Sequence, residues 1–191
     1  DIFGAHLDGV FMDNYNGAYQ SIQKLIDSGH RHIAFIAGPM TSSSALDRFN
    51  AYTAALSANH ILLNEEYTLY GDFKAKSAYS LTKRLIERQK EVTAIFSSNR
   101  TMASGCLMAL AESGISVGDD IAFISCGCVE YHDSRISYVD YPTTDIGREC
   151  ANILIDRINR GKKTASVKAR IVFDMNLVLK GSESFPKNRK Q

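Results

Sequence analysis

Residues 29–39 read Gly29-His30-Arg31-His32-Ile33-Ala34-Phe35-Ile36-Ala37-Gly38-Pro39, an apolar run that passes into a short polar loop. The pattern predicts a buried strand, and the helical spacing that follows carries Arg48 near its start. In open sheets of parallel strands, ligands bind where the strands give way to helices. The stretch therefore predicts an α/β fold with a binding cleft rather than a catalytic centre.

The composition is that of an ordinary globular domain. The chain has 191 residues and a formal net charge of +1, so it can bury a real core but has no broad basic face for nucleic acid. It has no apolar run near the roughly 20 residues needed to cross a bilayer, and residues 1–6 do not resemble a signal peptide. We therefore expect a cytoplasmic protein without membrane contact. Residues 186–191, at the end of the chain, are expected to form a disordered tail.

Helical and strand patterns alternate along the chain. Apolar residues recur at helical spacing in five segments, which are 17–25, 45–56, 78–86, 102–110 and 146–158. Short strand-like runs lie at 32–36, 67–70, 94–97 and 121–125. Such alternation predicts a parallel, Rossmann-like sheet whose strands are joined by crossover helices.

The four cysteines offer little support for metal binding or catalysis. Cys126 and Cys128 lie two residues apart with His132 nearby, but structural zinc sites favour wider spacing. Cys106 and Cys150 fall in helical patterns, where a thiol acts as a small apolar group. A thiol hydrolase is the alternative, yet no oxyanion-forming glycine run accompanies the cysteines. We expect no metal, no cofactor, no disulfide and no enzymatic activity.

Several motifs follow one another in an order that identifies a family. They are Val10-Phe11-Met12-Asp13-Asn14 with Gly17-Ala18, Leu25-Ile26-x-x-Gly29-His30-Arg31-x-Ile33-Ala34, Thr93-Ala94-Ile95-Phe96-x-x-Asn99, Ala109-Leu110-Ala111-Glu112-Ser113-Gly114-Ile115-x-Val117-Gly118-Asp119-Asp120-Ile121, Val139-Asp140-Tyr141-Pro142 and Ile146-Gly147. Together they resemble the effector-binding portion of lactose-repressor-type (LacI/GalR) bacterial transcription regulators. That portion has a fold similar to periplasmic sugar-binding proteins.

The resemblance implies two Rossmann-like lobes, joined by three crossing strands, with a small effector between them. The crossings are expected near Met12, Tyr141 and Asp174. The implied division is 13–138 plus 174–185 for the C-terminal lobe, and 1–12 plus 139–173 for the remnant of the N-terminal lobe and the hinge. Most of the N-terminal lobe and the DNA-reading helix-turn-helix are then expected to lie outside this chain.

This truncation has an expected physical consequence. The helix face formed by Ile146, Ile153, Ile155 and Ile158 would lack most of the sheet that it covers. We therefore expect residues 143–160 of the isolated fragment to be mobile or domain-swapped.

The resemblance also implies a set of cleft residues. Arg48 corresponds to the family arginine that donates paired hydrogen bonds to ligand oxygens, although a surface arginine paired with Asp47 is the alternative. Ser42 and Ser44 correspond to polar ligand contacts, and they could instead cap the helix that follows.

Three further positions complete the implied site. Phe73 matches a family aromatic that stacks on a sugar ring or base, with an ordinary core phenylalanine as the alternative. Asn99 matches a cleft asparagine that exchanges hydrogen bonds with hydroxyl groups. Tyr141, at a hinge crossing, is the third expected ligand contact.

Two departures from the family pattern alter the expected charge of the cleft. Arg100 stands where an aspartate is usual, which suggests either a lost helix cap or a reversed charge and makes Arg100 a candidate ligand contact. Ser125-Cys126-Gly127-Cys128 stands where the family has Gly-aromatic-Asp-Asp. The cleft thereby loses negative charge and gains positive charge, which favours a sugar phosphate or uronate over a neutral sugar.

The sequence therefore predicts the effector-sensing and dimerisation domain of a bacterial transcriptional regulator. A homodimer would bind operator DNA through a head outside this chain, and a small sugar-derived ligand would bind in the cleft. The nearest alternative is a periplasmic-type solute receptor, which has the same architecture. A second alternative is a cleft that has lost small-molecule affinity and responds to a protein partner.

Overall fold

The computed structural model describes residues 7–129, 135–160 and 169–184, which contain eight strands and five α-helices. The elements are β1 (Gly9–Met12), α1 (Asn14–Asp27), β2 (Ile33–Ala37), α2 (Ser43–Ala58), β3 (Thr68–Tyr70), α3 (Ala75–Arg88), β4 (Ala94–Ser97), α4 (Arg100–Glu112), β5 (Ala122–Cys126), β6 (Ser137–Asp140), α5 (Thr143–Arg160), β7 (Arg170–Phe173) and β8 (Asn176–Val178). His132 and the expected tail at 186–191 lie outside the described residues.

A six-stranded sheet in the order β3-β2-β4-β5-β6-β8 forms the centre of the molecule. Its first five strands are parallel, and β8 runs antiparallel to β6. Helices α1 and α2 pack together on one face, whereas α3 and α4 pack together on the other. The predicted parallel α/β sheet flanked by helices is confirmed.

The core divides into two layers because side chains alternate along each buried strand. On the α1 and α2 side, Phe35 of β2 stacks on Tyr52 and Phe96 at ring-centroid distances of 5.2 and 5.6 Å. On the α3 and α4 side, Ile95 and Phe123 lie among apolar helix residues. Both layers are sealed from solvent, which holds the ends of the parallel strands in fixed positions.

Glycines shape the boundaries of the helices. Gly29 and Gly114 take positive φ angles of 100° and 70° directly after α1 and α4, in the conformation that ends a helix most readily. Within α4, Gly105 allows a close crossing, since a Cβ at this position would lie 2.0 Å from the carbonyl oxygen of Ala75. The segment predicted as a strand from Tyr67 begins instead with a 3-10 turn at Glu65–Tyr67, before β3.

A second, smaller sheet consists of β1 and β7, which pair in parallel, with α5 packed against β1. Asp8 connects its parts by accepting hydrogen bonds from the Arg157 guanidinium at 2.8 and 2.7 Å and from the Ala169 amide at 2.8 Å. Of the predicted apolar face of α5, Ile155 and Ile158 are 54% and 69% exposed. This face is therefore largely uncovered.

The described chain passes between the two sheets at three places. These are the junctions between β1 and α1, between β6 and α5, and between β7 and β8. The resemblance implied that the first segment of the C-terminal lobe ends at residue 138. Strand β6 stays in the large sheet two residues further, as far as Asp140, which pairs with Asn176 of β8. None of the described helices has the length and apolarity that a membrane-spanning helix needs.

Candidate functional site

The carboxyl ends of the parallel strands meet at one edge of the large sheet, facing β1 and β7. The segments that leave this edge are 38–42 after β2, 71–74 after β3, 98–99 after β4, 127–129 after β5 and 141–142 after β6. Short loops at such an edge place side chains from distant parts of the sequence close together. Most of the predicted ligand contacts lie on these segments or on the first turn of the helix that follows.

Arg48 lies inside this edge, not on the surface. Its side chain is only 6% exposed, and it donates to the Ser98 carbonyl oxygen at 2.7 Å and to Asn14 Oδ1 at 2.6 Å. Its Nε has no hydrogen-bond partner among the described residues. The alternative of a surface arginine paired with Asp47 is therefore wrong, because both partners of Arg48 are neutral.

The start of α4 supplies two predicted residues. Asn99 caps the helix, since its Oδ1 accepts a hydrogen bond from the Met102 amide at 2.7 Å. The lost helix cap that Arg100 suggested is thus not found, because the capping position is Asn99. Arg100 is the first residue of α4 and is exposed to solvent.

Gly127 brings Arg100 and Tyr141 together. It has a positive φ of 97°, and a Cβ built on it would lie 3.2 Å from the Tyr141 hydroxyl and 3.3 Å from the Arg100 Cβ. Ser125 Oγ donates to the Gly127 carbonyl oxygen at 2.7 Å and holds this turn. Sequence reasoning did not single out Gly127, although a glycine directly after a buried strand is a signal for such a turn.

Cys126 packs in the hydrophobic core. It is 4% exposed and belongs to the core on the α1 and α2 side. Burial raises the pKa of its thiol, and the nearby Arg48 guanidinium offsets part of that rise. A raised pKa favours the protonated thiol over the nucleophilic thiolate.

The remaining predicted residues lie around the β2 end of the edge. Ser42 occupies the capping position of α2, but it makes no capping hydrogen bond and its Oγ lies 3.0 Å from Ser44 Oγ. Phe73 has an unusual φ of 66°, and its ring covers Gly38 so closely that a Cβ there would lie 2.1 Å from the ring. Phe73 also packs against the α3 and α4 side of the core, which gives it a structural role.

A cavity of about 350 Å³ lies between the two sheets beside these residues. Asp13, Asn14, Ser43 and Asp47 line it from the large-sheet side, and the small sheet contributes residues that include Arg170. Asn14 connects the cavity to the buried arginine, since Asn14 Oδ1 is a partner of Arg48. Sequence reasoning quoted Asp13 and Asn14 in a family motif without assigning them to the site.

The charged groups around this cavity are of both signs. Asp13 accepts from the amide and side chain of Asn16 at 3.0 and 2.5 Å, which fixes its carboxylate at the start of α1. Arg170 lies over the Phe11 ring, with its guanidinium carbon 4.4 Å from the ring centroid. Across the described ranges, no three histidine, cysteine, aspartate or glutamate side chains are grouped to hold a metal ion. The arrangement suits a polar organic ligand, since it offers fixed donors and acceptors.

Comparisons with known sequences agree with this architecture. A family model described as "Periplasmic binding protein-like domain" matches residues 22–182. The transcriptional regulator CelR of Thermobifida fusca is 34% identical over 176 residues, which is 91% of this chain and 51% of CelR. The repressor PurR of Actinobacillus pleuropneumoniae is 30% identical over 182 residues, covering 93% of this chain and 53% of PurR. The chain spans about half the length of the curated relatives that it matches.

Solved structures similar to this chain are also those of transcriptional regulators. A complex of the regulator CelR with cellobiose superimposes with a TM-score of 0.85 at 32% identity, covering 94% of this chain and 56% of that one. The Escherichia coli repressor AscG has a TM-score of 0.78 at 28% identity, with 91% and 63% covered. A LacI-family sugar-binding regulator from Escherichia coli, complexed with phosphate, has a TM-score of 0.78 at 27% identity, with 93% and 63% covered.

Proposed function

We infer that this chain, which belongs to the family of periplasmic binding protein-like domains, is the effector-sensing and dimerisation part of a LacI-type transcriptional regulator. The resemblance to LacI-type regulators that the sequence motifs indicated is confirmed by the comparisons. The relatives described above are named as regulators, which favours this function over a periplasmic solute receptor. The observation that carries the proposal is the buried Arg48, which connects the edge of the large sheet to the cavity through Asn14.

The proposed mechanism follows from the position of the cavity between two sheets. An effector held there contacts residues of both, so it stabilises one relative orientation of the two parts. In the whole protein, we propose a homodimer that transmits this change to operator DNA through segments beyond these 191 residues. Such a protein acts in the cytoplasm.

The proposed effector is a sugar, a sugar phosphate or a uronate. The CelR structure contains cellobiose, and a LacI-family regulator of similar fold contains phosphate. In this chain, the carboxylates of Asp13 and Asp47 line the cavity and can accept hydrogen bonds from hydroxyl groups. Positive charge comes from Arg48, which contacts the cavity residue Asn14, and from Arg100 at the start of α4. We propose a binding function without catalysis, because the relatives described above are named as transcriptional regulators.

Calorimetry tests this function on the protein expressed from its complete reading frame. The ligand panel contains cellobiose, glucose, galactose and the phosphates and uronates of these sugars. We expect saturable binding of at least one compound, and a loss of about tenfold or more in affinity for Arg48→Met, which removes the charge and keeps the apolar stem.

The matched control is Arg84→Met, because Arg84 is an exposed arginine on α3. Its affinity for the same ligand should equal that of the unmodified protein. The proposal fails if no compound binds, or if Arg48→Met folds and binds the ligand with unchanged affinity.

A further inference from the structure

We propose that the start of α4, together with Arg48 and Arg100, is a subsite for an anionic group of the effector, either a phosphoryl group or a carboxylate. This inference rests on the proposed function, and it names the class of effector and the part of the cleft that selects it. Four features of the described residues support it: the buried Arg48 guanidinium without a salt bridge, two buried polar atoms without hydrogen-bond partners, the N-terminus of α4, and Arg100 in the first turn of that helix.

The first feature is the buried guanidinium of Arg48. A buried charge costs several kcal/mol unless it is paired and hydrogen-bonded. The described residues give Arg48 two neutral acceptors, the Ser98 carbonyl and the Asn14 side chain, and no salt bridge. The positive charge is therefore not neutralised within this part of the chain, and an anion in the cleft would neutralise it.

The second feature is the pair of unused polar atoms next to α4. Arg48 Nε and Ser98 Oγ are both buried and both lack a hydrogen-bond partner among the described residues. The two residues are in contact, since the Arg48 guanidinium donates to the Ser98 carbonyl oxygen, and Ser98 lies two residues before α4 begins. Buried polar atoms without hydrogen-bond partners are typical of a site that binds a ligand or an ordered water.

The third feature is the N-terminus of α4, a helix of 13 residues. Its first amides have no acceptors within the helix and carry the positive end of the helix dipole. Asn99 caps the Met102 amide, and the amides of Arg100 and Thr101 have no acceptor within the helix. Helix N-termini of this kind bind phosphates and carboxylates.

Arg100 distinguishes this terminus from an ordinary one. A cation in the first turn opposes the helix dipole and is unfavourable unless a negative group is present. Arg100 makes no salt bridge among the described residues, and it lies beside Gly127, whose lack of a Cβ lets the Tyr141 hydroxyl and the Arg100 side chain approach the same turn. An anion at this position would be attracted by two guanidinium groups and by the helix terminus.

Carboxylates line the same cleft, and they define the orientation of the ligand. Asp13 and Asp47 face the cavity between the sheets, whereas Arg100 lies on the α4 side. A ligand with hydroxyl groups at one end and an acidic group at the other matches this separation of charge. A fully neutral sugar would leave Arg48 without a counter-charge.

Calorimetry with matched ligand pairs tests the subsite on the protein expressed from its complete reading frame. The pairs are glucose with glucose 6-phosphate, galactose with galacturonate, and cellobiose with its 6-phosphate. In the pair that binds, we expect the anionic member to bind about tenfold or more tightly than the neutral one. We expect Arg100→Gln to reduce this ratio towards one, while Arg84→Gln, the matched exposed control on α3, leaves it unchanged.

The outcomes separate the two proposals. If the neutral member binds as tightly as the anionic member or more tightly, the anionic subsite is overturned and the effector-sensing function stands. If the anionic member binds more tightly but the ratio survives in Arg100→Gln, the anion lies elsewhere and the subsite is again overturned. If no member of any pair binds, both proposals fail.

Discussion

The two sheets of this molecule both contain parallel strands, but those strands are covered to very different degrees. Strands β2, β4 and β5 of the large sheet are buried at every position, whereas β1 and β7 of the small sheet have no buried residue. The large sheet has two helices on each face, and the small sheet has α5 against β1.

This difference bears on stability, because pairing alone is not expected to stabilise parallel strands. Parallel sheets occur almost only where both faces are covered, since their strands carry little polar surface. An isolated two-stranded sheet is marginal in water. We therefore expect the large sheet to carry most of the stability of this chain, while the small sheet and α5 contribute little.

The largest expected difference in stability between the two sheets is tested by a pair of substitutions to alanine. Phe35 is fully buried against Tyr52 and Phe96, so Phe35→Ala should lower the free energy of unfolding by about 3–5 kcal/mol. Leu154 of α5 is 61% exposed, so Leu154→Ala should change it by less than about 0.5 kcal/mol. Urea denaturation followed by circular dichroism measures both values.

The relation between the two substitutions is the informative result. Equal losses of stability would mean that α5 is covered in solution by something that the described residues do not show. In that case the contrast between the sheets would not hold for the protein in solution.

The large sheet could be predicted from the sequence because its strands are continuous apolar runs. The runs at 32–36, 94–97 and 121–125 correspond closely to β2, β4 and β5. Strands β1, β7 and β8 have three or four residues each and are partly exposed, so they produce no distinctive run. Their positions depend on long-range pairing, which local patterns do not encode.

The candidate site was predictable in its residue types and not in its contacts. The resemblance indicated Arg48, but its partner Asn14 lies 34 residues earlier and is brought near by the packing of α1 against α2. Asn99 could be assigned as a ligand contact, whereas its capping bond depends on where α4 begins. The approach of Tyr141 to Gly127 results from a backbone turn that has a positive φ, and residue types alone do not fix its direction.

A smaller effect should come from His30, which lies in the large-sheet part of the molecule. Its Nδ1 is 2.9 Å from Thr93 Oγ1, and burial lowers its pKa below 6.5, although hydrogen bonding to the backbone at Ser184 and Glu183 partly opposes this. The unfolded chain then binds a proton more readily than the folded protein. Stability present above pH 6.5 is therefore lost as the pH falls from 6.5 towards the folded pKa.

Urea midpoints at pH 7.5 and 5.5 measure this dependence. The decrease at pH 5.5 should become smaller in His30→Gln and persist in His60→Asn, the matched change at an exposed histidine. An unaltered decrease in His30→Gln would mean that another group causes the pH dependence.

The smallest expected effect is confined to the small sheet and concerns Asp8. Hydrogen bonding to Asp8 raises the pKa of Arg157, and the Asp8 carboxylate also accepts from the Ala169 amide, so one side chain connects β1, α5 and the start of β7.

In hydrogen exchange, we expect the amides of residues 146–158 to exchange faster than those of residues 33–37 in the unmodified monomer, because α5 can open without disturbing the large sheet. Asp8→Asn should speed exchange at 146–158 several-fold and leave 33–37 unchanged, while Asp72→Asn, at an exposed carboxylate outside the small sheet, should alter neither segment. If residues 146–158 are as protected as 33–37 before any substitution, the two sheets unfold together and the small one is not the weaker part.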